Sequence, residues 1–496
     1  MIDFEKQHNP EKNAELLAQL TENQVDLAAA VQETEQLFQL YYEEPKNRRQ
    51  TKRGTTQISI KQKTNERIYR LFSKPATLLD RTKIIIDKNK NIYPEWKTLL
   101  DQEYSKLKNL ITREVNVQDY GAIGDGKTDC TSAFNKAIGT GRVKVIVPEG
   151  VYVTKGIKLP SWTVLVGAGK GRTIIKLHND APKGTRLVTN ANHWRGNHHL
   201  FVGSLSLDWN VERLGNAVKT STGGNHSSCL TYANVKYGWV QQVEGINPGL
   251  HCFDISSTLY NYGGDGYLAR GGSQYVWLDG LNGYGFGDDG ITTHHSDHIF
   301  ISHCHMCDPS GRAHQQGFSN SNGIEIDDGS RNVVLLHNST ARCFGGIEIK
   351  AHQNSSAASY VNIIGHISVH DNRSYNFRHI GHHKSTDEES KTAYNIQATN
   401  IVAIAPVFSE LYGGSSPRGL VVSAYRNVVI NHFSFIGDPK YNYRGAPICA
   451  IQYRARNVVL NHFHFRGISA SSGPEIKIYR GPNQPEEVKI INVFKN

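Results

Sequence analysis

Carboxylate, imidazole and cationic side chains recur at matching places in three five-residue units: Gly290-Ile291-Thr292-Thr293-His294, Gly323-Ile324-Glu325-Ile326-Asp327 and Gly346-Ile347-Glu348-Ile349-Lys350. Successive side chains of a strand alternate between its faces. The second and fourth residues of each unit therefore point to an apolar interior, and the third and fifth point away from it. Stacked as rungs of one parallel sheet, the units build two columns. One is Thr292, Glu325, Glu348; the other is His294, Asp327, Lys350. An upstream unit, Gly266-Tyr267-Leu268-Ala269-Arg270, fits the same register and adds Arg270, and a downstream match around Ile380 adds His383. Rungs about 4.8 Å apart bring the carboxyls of Glu325 and Glu348 together with Asp327 alongside. Like charges that close do not ionise together unless a cation intervenes, and Lys350, His294 and Arg270 are placed to supply one.

A lone carboxylate is ordinarily a solvated surface group. Register kept over several units argues against that here, so Glu325, Asp327, Glu348, His294 and Asp289 are the candidate catalytic residues, and Arg270, Lys350 and His383 the candidate substrate-binding ones. Asp288 and Asp328 belong equally to turn chemistry, since each lies in an Asp-Asp-Gly turn signal. Of the adjacent His294 and His295, one faces the site and the other packs. Arg331 recurs in a repeated Arg-Asn-Val-Val context and reads as structural. Asp208, Trp209, Tyr284 and Phe286 suit a sugar subsite but read first as core or turn residues. Three reactions fit the columns: glycoside hydrolysis by paired carboxyls; phosphodiester hydrolysis with cations, or a divalent metal on the carboxylates, neutralising charge; and lyase chemistry beside a neutralised uronate. A non-catalytic spike that only grips a polymer fits as well. The need for a cofactor stays open, and no residue set is assigned to a metal.

These columns need a long β scaffold. The 496-residue chain, with 46 glycines and 16 prolines, is poor in helix formers beyond roughly residue 140. The segments Arg331-Asn332-Val333-Val334, Arg426-Asn427-Val428-Val429 and Arg456-Asn457-Val458-Val459 repeat, and the last two continue as Ile-Asn-His-Phe-Ser-Phe and Leu-Asn-His-Phe-His-Phe. Periods of about 20–50 residues with short strands and no intervening helices predict a β-solenoid. Residues 12–42 predict one long helix with a weak heptad pattern through Leu16, Leu20, Leu27, Ala30, Leu37 and Tyr41, serving either packing on its own chain or a short coiled coil. Residues 46–65 read as a basic linker, and two further helical patterns lie within 66–112. Two domains follow: a helical attachment module over 1–112 and a β body over 113–496.

The net charge of +10 is concentrated between Lys46 and Arg113, which reads as a solvated or partner-docking face; nucleic-acid binding is not expected. The seven cysteines show no disulfide framework. Cys304-x-x-Cys307 has no second ligand pair nearby, so buried free thiols are expected rather than zinc. The start MIDFEKQHNPEK has no apolar signal core, and no run of eighteen apolar residues is present, so neither a secretory signal nor a membrane span is expected.

The segment VQDYGAIGDGKTDCTSAFNKAI, followed by VPEGVYVT, resembles the opening of the pectate-lyase-like domain of phage tailspikes and polygalacturonase relatives. The segments GDDGITTHHS, NGIEIDDGS and GGIEIKAH resemble the pre-neck appendage and tailspike depolymerases of phages infecting Gram-positive bacteria, the teichoic-acid-degrading type above all. The resemblance covers roughly residues 113–496. It implies a mostly β, right-handed parallel β-helix, a homotrimer located in a virion tail, and cleavage of a host cell-wall polymer, either wall teichoic acid or a polysaccharide. It also implies contact with other virion tail proteins, assigned here to the N-terminal module.

Overall fold

The structure is a computed structural model that describes residues 2–22, 24–43, 60–77, 80–217, 219–383 and 389–495. Most of the basic linker expected at 46–65 lies outside the described residues.

From residue 113 onward the chain winds into a parallel β-helix. Two long sheets run its length, one of nineteen strands and one of eleven. Each coil places one strand in the smaller sheet and one long or two short strands in the larger. In the larger sheet Asp297–Ser302, Arg331–Ala341, Ser359–Val369, Tyr394–Ile404, Arg426–Ile436 and Arg456–Arg466 pair in parallel, each with the next. The Arg-Asn-Val-Val repeats are therefore stacked equivalents, with Val428 over Val458 and Phe433 over Phe463. One continuous aliphatic and aromatic core runs from Val117 to Phe465 and includes Ile291, Ile324, Ile326, Ile347 and Ile349. The coils stack because each buries its inward apolar residues only against its neighbours. All seven cysteines are buried free thiols; burial raises their pKa.

The helix Thr131–Ile138 closes the N-terminal end of this core with Ala133, Phe134, Ala137 and Ile138. Its cap position is Cys130, and the Asp129 carboxylate accepts a hydrogen bond from the Thr131 backbone N–H at 2.9 Å.

The N-terminal region lies against the β-helix. The single long helix is two, Asn13–Leu20 and Leu27–Tyr41, and the second is capped by Asp26 accepting from the N–H groups of Ala28 and Ala29. Their apolar faces lie on the outer surface of the larger sheet. Leu17 packs with Ile367 and Val402, and Phe38 with Val429 and Val459. The helix Lys97–Leu110 lies on the same sheet, placing Leu100 and Leu107 with Phe201 and Trp239. Of the two expectations for the heptad-like pattern, the structure takes packing on the chain itself, because the buried face is Ala30, Val31, Thr34 and Phe38. The strand Ser73–Pro75 pairs antiparallel with Tyr267–Ala269. Among the described residues no helix is long and apolar enough to cross a membrane.

Candidate functional site

Five consecutive strands of the smaller sheet build the site: Phe253–Ser256, Ile291–Thr293, Asn322–Ile326, Gly345–Ala351 and Arg373–His379. Their register stacks Asp254, Thr292, Glu325, Glu348 and Asn376 in one column. Ile291, Ile324 and Ile347 form the adjoining inward column, as alternation requires. The register expected from the three glycine-led units is thus the observed one, and the column extends by one rung on each side. Asp254 escaped notice because no glycine leads its strand. Asn376 did so because its unit, Ser-Tyr-Asn-Phe-Arg, carries neither glycine nor carboxylate.

Two expected neighbours are elsewhere. Arg270 is not on an upstream rung: Tyr267–Ala269 leaves the coil to pair with Ser73–Pro75, and the exposed Arg270 donates from Nε to the Ser73 carbonyl at 3.1 Å. His383 is not on a downstream rung either. That rung is Arg373–His379, Ile380–His382 is a turn of 3-10 helix, and the His383 ring stacks on Tyr453 at 4.7 Å. The cation the register does supply is Arg378, paired with Lys350.

The columns do not face an open groove. Glu325, Asp327, Glu348 and Lys350 are 2, 0, 0 and 5 % exposed. Loops between the coils cover them: Tyr260 stacks on His294 with ring centroids 3.8 Å apart, and Tyr262 meets His352 edge-on. The accessible rim is made by His352 and His314, whose side chains are 42 and 39 % exposed, with Asp288 and Arg378 more recessed.

Lys350 is the electrostatic centre. Its Nζ lies 2.6 Å from Glu325 Oε1 and 3.6 Å from Asp327 Oδ2. Burial opposes the ammonium, but Asp327, Glu325 and Glu348 outweigh it and hold its pKa above the usual lysine range. Glu325 also accepts from Asn322 Nδ2 at 2.8 Å and from Thr292 Oγ1 at 3.2 Å. Glu348 is ion-paired to Arg378 Nε. Burial raises its pKa, yet Arg378 and Lys350 overcome that and leave it below the usual value. The protons that the crowding requires settle on other members. Burial together with Asp288 pushes Asp289 well above the carboxylate range, and burial together with Asp328 does the same to Asp327. Asp288 and Asp328 go the opposite way. Burial raises both, but His251 and His314 outweigh it at Asp288, and His352 does so at Asp328.

Four histidines take distinct states. His294 Nε2 lies 3.7 Å from Asp327 Oδ2, and burial drives its pKa down to about 3, so the ring is neutral. His295 accepts from the Ala269 N–H at Nδ1 and meets the Asn261 carbonyl at Nε2, so it is the packed member of the pair. His251 sits 3.1 Å from Asp254, which also accepts from the Tyr260 hydroxyl at 2.8 Å. Burial disfavours the His251 cation, but hydrogen bonds to Asp254 and Asp288 prevail and raise its pKa to about 9. His352 reaches about 9 for the same kind of reason, with Asp328 2.9 Å away. Neither His251 nor His352 was singled out from sequence. Arg331, expected to be structural, donates to the Thr77 carbonyl at 2.9 Å.

Two pairs of cations flank the acidic column at different register positions. Arg373 and Arg418 are paired across adjacent strands, as are Lys350 and Arg378. Buried Nε groups of Arg373 and Arg418 have no hydrogen-bond partner, and neither do Asp327 Oδ2, Glu348 Oε2 and His294 Nδ1. A buried polar atom in that state calls for a partner, which a water, an ion or a ligand supplies. Two sets, His251–Asp288–Asp289 and His294–Asp327–Asp328, bring potential metal-ligand atoms within 4.8 Å of one another. Lys350 already holds the position between Glu325 and Asp327 where a cation was sought.

Residues 114–348 match the family described as rhamnogalacturonase A/epimerase, pectate lyase-like. The chain is 50 % identical over 396 residues to the putative phage-related protein YobO of Bacillus subtilis (strain 168), covering 80 % of this chain and 49 % of that protein. It is 44 % identical over 387 residues to the pre-neck appendage protein of Bacillus phage phi29, covering 77 % of this chain and 44 % of the phage protein. The crystal structure of pre-mature phi29 gene product 12 superposes with a TM-score of 0.73 at 40 % identity, over 80 % of this chain and 51 % of that one. The chain spans about half the length of the curated relatives it matches.

Proposed function

From a pectate-lyase-like parallel β-helix homologous to that of phage pre-neck appendage proteins, we propose that this chain binds and hydrolyses an anionic polymer of a Gram-positive cell wall, wall teichoic acid before others. On this reading it works in the virion, as part of a homotrimeric tail appendage that meets other tail proteins through its N-terminal region. The observation that carries the substrate class is the set of recessed cations flanking the acidic column, Lys350 and Arg378 at one register position and Arg373 and Arg418 at another, with carboxyls that hold protons, Asp289 and Asp327. Guanidinium groups bind phosphate oxygens in two-point fashion, and recessed cations neutralise charge that grows in a phosphoryl transition state. Asp289 or Asp327 supplies the proton to the leaving alkoxide, and Glu325, held by Lys350 and Asn322, takes one from the attacking water.

The test is a panel of purified polymers (wall teichoic acid, capsule and a uronate polymer) digested with and without a chelator, the product ends being identified by mass. New phosphomonoester ends on teichoic acid are expected. A new reducing sugar would replace this reading with glycoside hydrolysis, an unsaturated sugar with lyase chemistry, and tight binding without cleavage with a receptor-binding spike.

A further inference from the structure

The repeated Ile/Leu-Asn-His-Phe segments near the C-terminal end of the β-helix carry a second cluster, remote from the covered site in sequence and on the other sheet. His432 and His462 are equivalent residues of the stacked strands Arg426–Ile436 and Arg456–Arg466, and their rings lie face to face with centroids 4.5 Å apart and planes 12° from parallel. Both residues adopt a left-handed backbone, φ 57° and 52°, between an asparagine and a phenylalanine of the ladder. The positions next to them in the flanking coils are Asn400 and Asn492; the same column carries one more imidazole pair upstream, His303 and His337, whose rings are 5.6 Å apart and tilted by 47° rather than stacked.

Glu33 reaches this pair from the helix Leu27–Tyr41. Its Oε2 is 3.1 Å from His432 Nε2 and its Oε1 is 3.2 Å from His462 Nε2. The carboxylate is oriented by two ladder amides, Asn431 Nδ2 at 3.0 Å and Asn461 Nδ2 at 3.2 Å. Those amides are themselves fixed, since Asn461 Nδ2 donates to Asn431 Oδ1 and Asn492 Nδ2 to Asn461 Oδ1.

The geometry points to a metal site: we infer that Glu33, His432 and His462 bind one divalent transition-metal ion, zinc in the first instance, which pins the helix Leu27–Tyr41 to the β-helix. The three side chains offer ligand atoms within 4.8 Å of one another. Two imidazoles and a carboxylate form a borderline donor set of the kind zinc takes, and bonds of about 2.0–2.1 Å at tetrahedral angles place neighbouring ligand atoms about 3.3 Å apart. The Glu33–imidazole separations of 3.1 and 3.2 Å are close to that, and binding turns the two rings out of their face-to-face stack so that both Nε2 lone pairs converge on the ion. The asparagine amides play the outer-shell role that fixes a ligating carboxylate. The side chains are 18, 28 and 37 % exposed for His432, His462 and Glu33, so the ion has an entry path and a fourth position open to water. The cluster Asp265–His379–His382 does not compare, because His379 Nδ1 already accepts from the Gly381 N–H and Nε2 meets the Ser355 carbonyl.

The experiment uses metal-stripped full-length protein titrated with zinc chloride, with metal content counted after dialysis and hydrogen exchange followed on residues 27–41. The wild type should retain one more zinc per chain than His432→Gln/His462→Gln, and zinc should slow exchange in that helix at least about tenfold in the wild type only. Glu33→Gln, a change on a helix surface, should weaken the same binding event about tenfold or more and decides the matter if the double variant does not fold. Equal zinc content and equal protection in wild type and variants would overturn the inference, leaving a carboxylate–imidazole contact.

Discussion

Two regions of this β-helix use the same device for opposite ends. Near the C-terminal end the larger sheet stacks like on like: Asn431 on Asn461, Phe433 on Phe463, Phe435 on Phe465. Each asparagine amide satisfies the next, and the ladder stabilises the coils. In the middle of the smaller sheet the stack is of unlike groups: Asp254, Thr292, Glu325, Glu348, Asn376, with Lys350 and Arg378 alongside. That column is buried, crowded with charge and leaves polar atoms without hydrogen-bond partners. Register alone therefore says where a side chain stands. Whether neighbouring rungs repeat a residue or change it separates scaffold from site, since unlike charged groups hold protons and cations apart in ways a ladder of equals does not.

The sharpest way to break this contrast is to remove one charge from the unlike stack. Arg378→Ala strands Glu348, which is fully buried, and should cost about 3–5 kcal/mol in denaturant unfolding. Lys350→Ala should act in the same direction, because Glu325 and Asp327 lose their shared cation. For that reason Glu348→Gln is a poor probe of catalysis: it leaves Arg378 without its partner. In the like-on-like ladder Asn461→Ala removes one rung and should cost only about 1–2 kcal/mol in the same assay. Equal costs in the two regions would remove the distinction.

Stability against pH sharpens it further. His251 faces Asp254, Asp288 and Asp289, and its pKa rises from 6.5 to about 9 on folding. A raised folded pKa contributes stability that is fully present below 6.5 and is lost as pH climbs through about 9. The thermal midpoint should therefore fall between pH 6.5 and 9, and the fall should be shallower in His251→Asn. An unchanged slope would show that this imidazole is not charged in the folded protein.

Much of the scaffold was legible in the chain because its repeats are literal. The isoleucines of the Gly-Ile-x-Ile units fix strand, face and register at once, and the rungs carrying Glu325 and Glu348 follow from them. What escaped was whatever leaves the repeat. Tyr267–Ala269 has the pattern of a rung yet pairs with Ser73–Pro75, so Arg270 was drawn into a column it does not join. His251, His314 and His352 come from connections between coils, where no period exists to place them. Nor does a period reveal what covers a sheet: loops such as the one carrying Tyr260 and Tyr262 close over the outward face. The surface on which the N-terminal helices pack was likewise hidden, because their partners, Val429 and Val459, lie some four hundred residues on.

The most direct test of the central claim, that the unlike column cleaves the polymer it binds, is the Glu325→Gln variant assayed on purified wall teichoic acid for binding and chain shortening in parallel. The substitution keeps shape but takes the nearer carboxylate, 2.6 Å away, from Lys350, so the thermal midpoint should fall and the assay is run where the variant remains folded. Cleavage should fall by about 10²–10⁴-fold, with binding close to wild type. Wild-type cleavage by this variant, or no cleavage by the wild type on a polymer it binds tightly, would contradict the assignment.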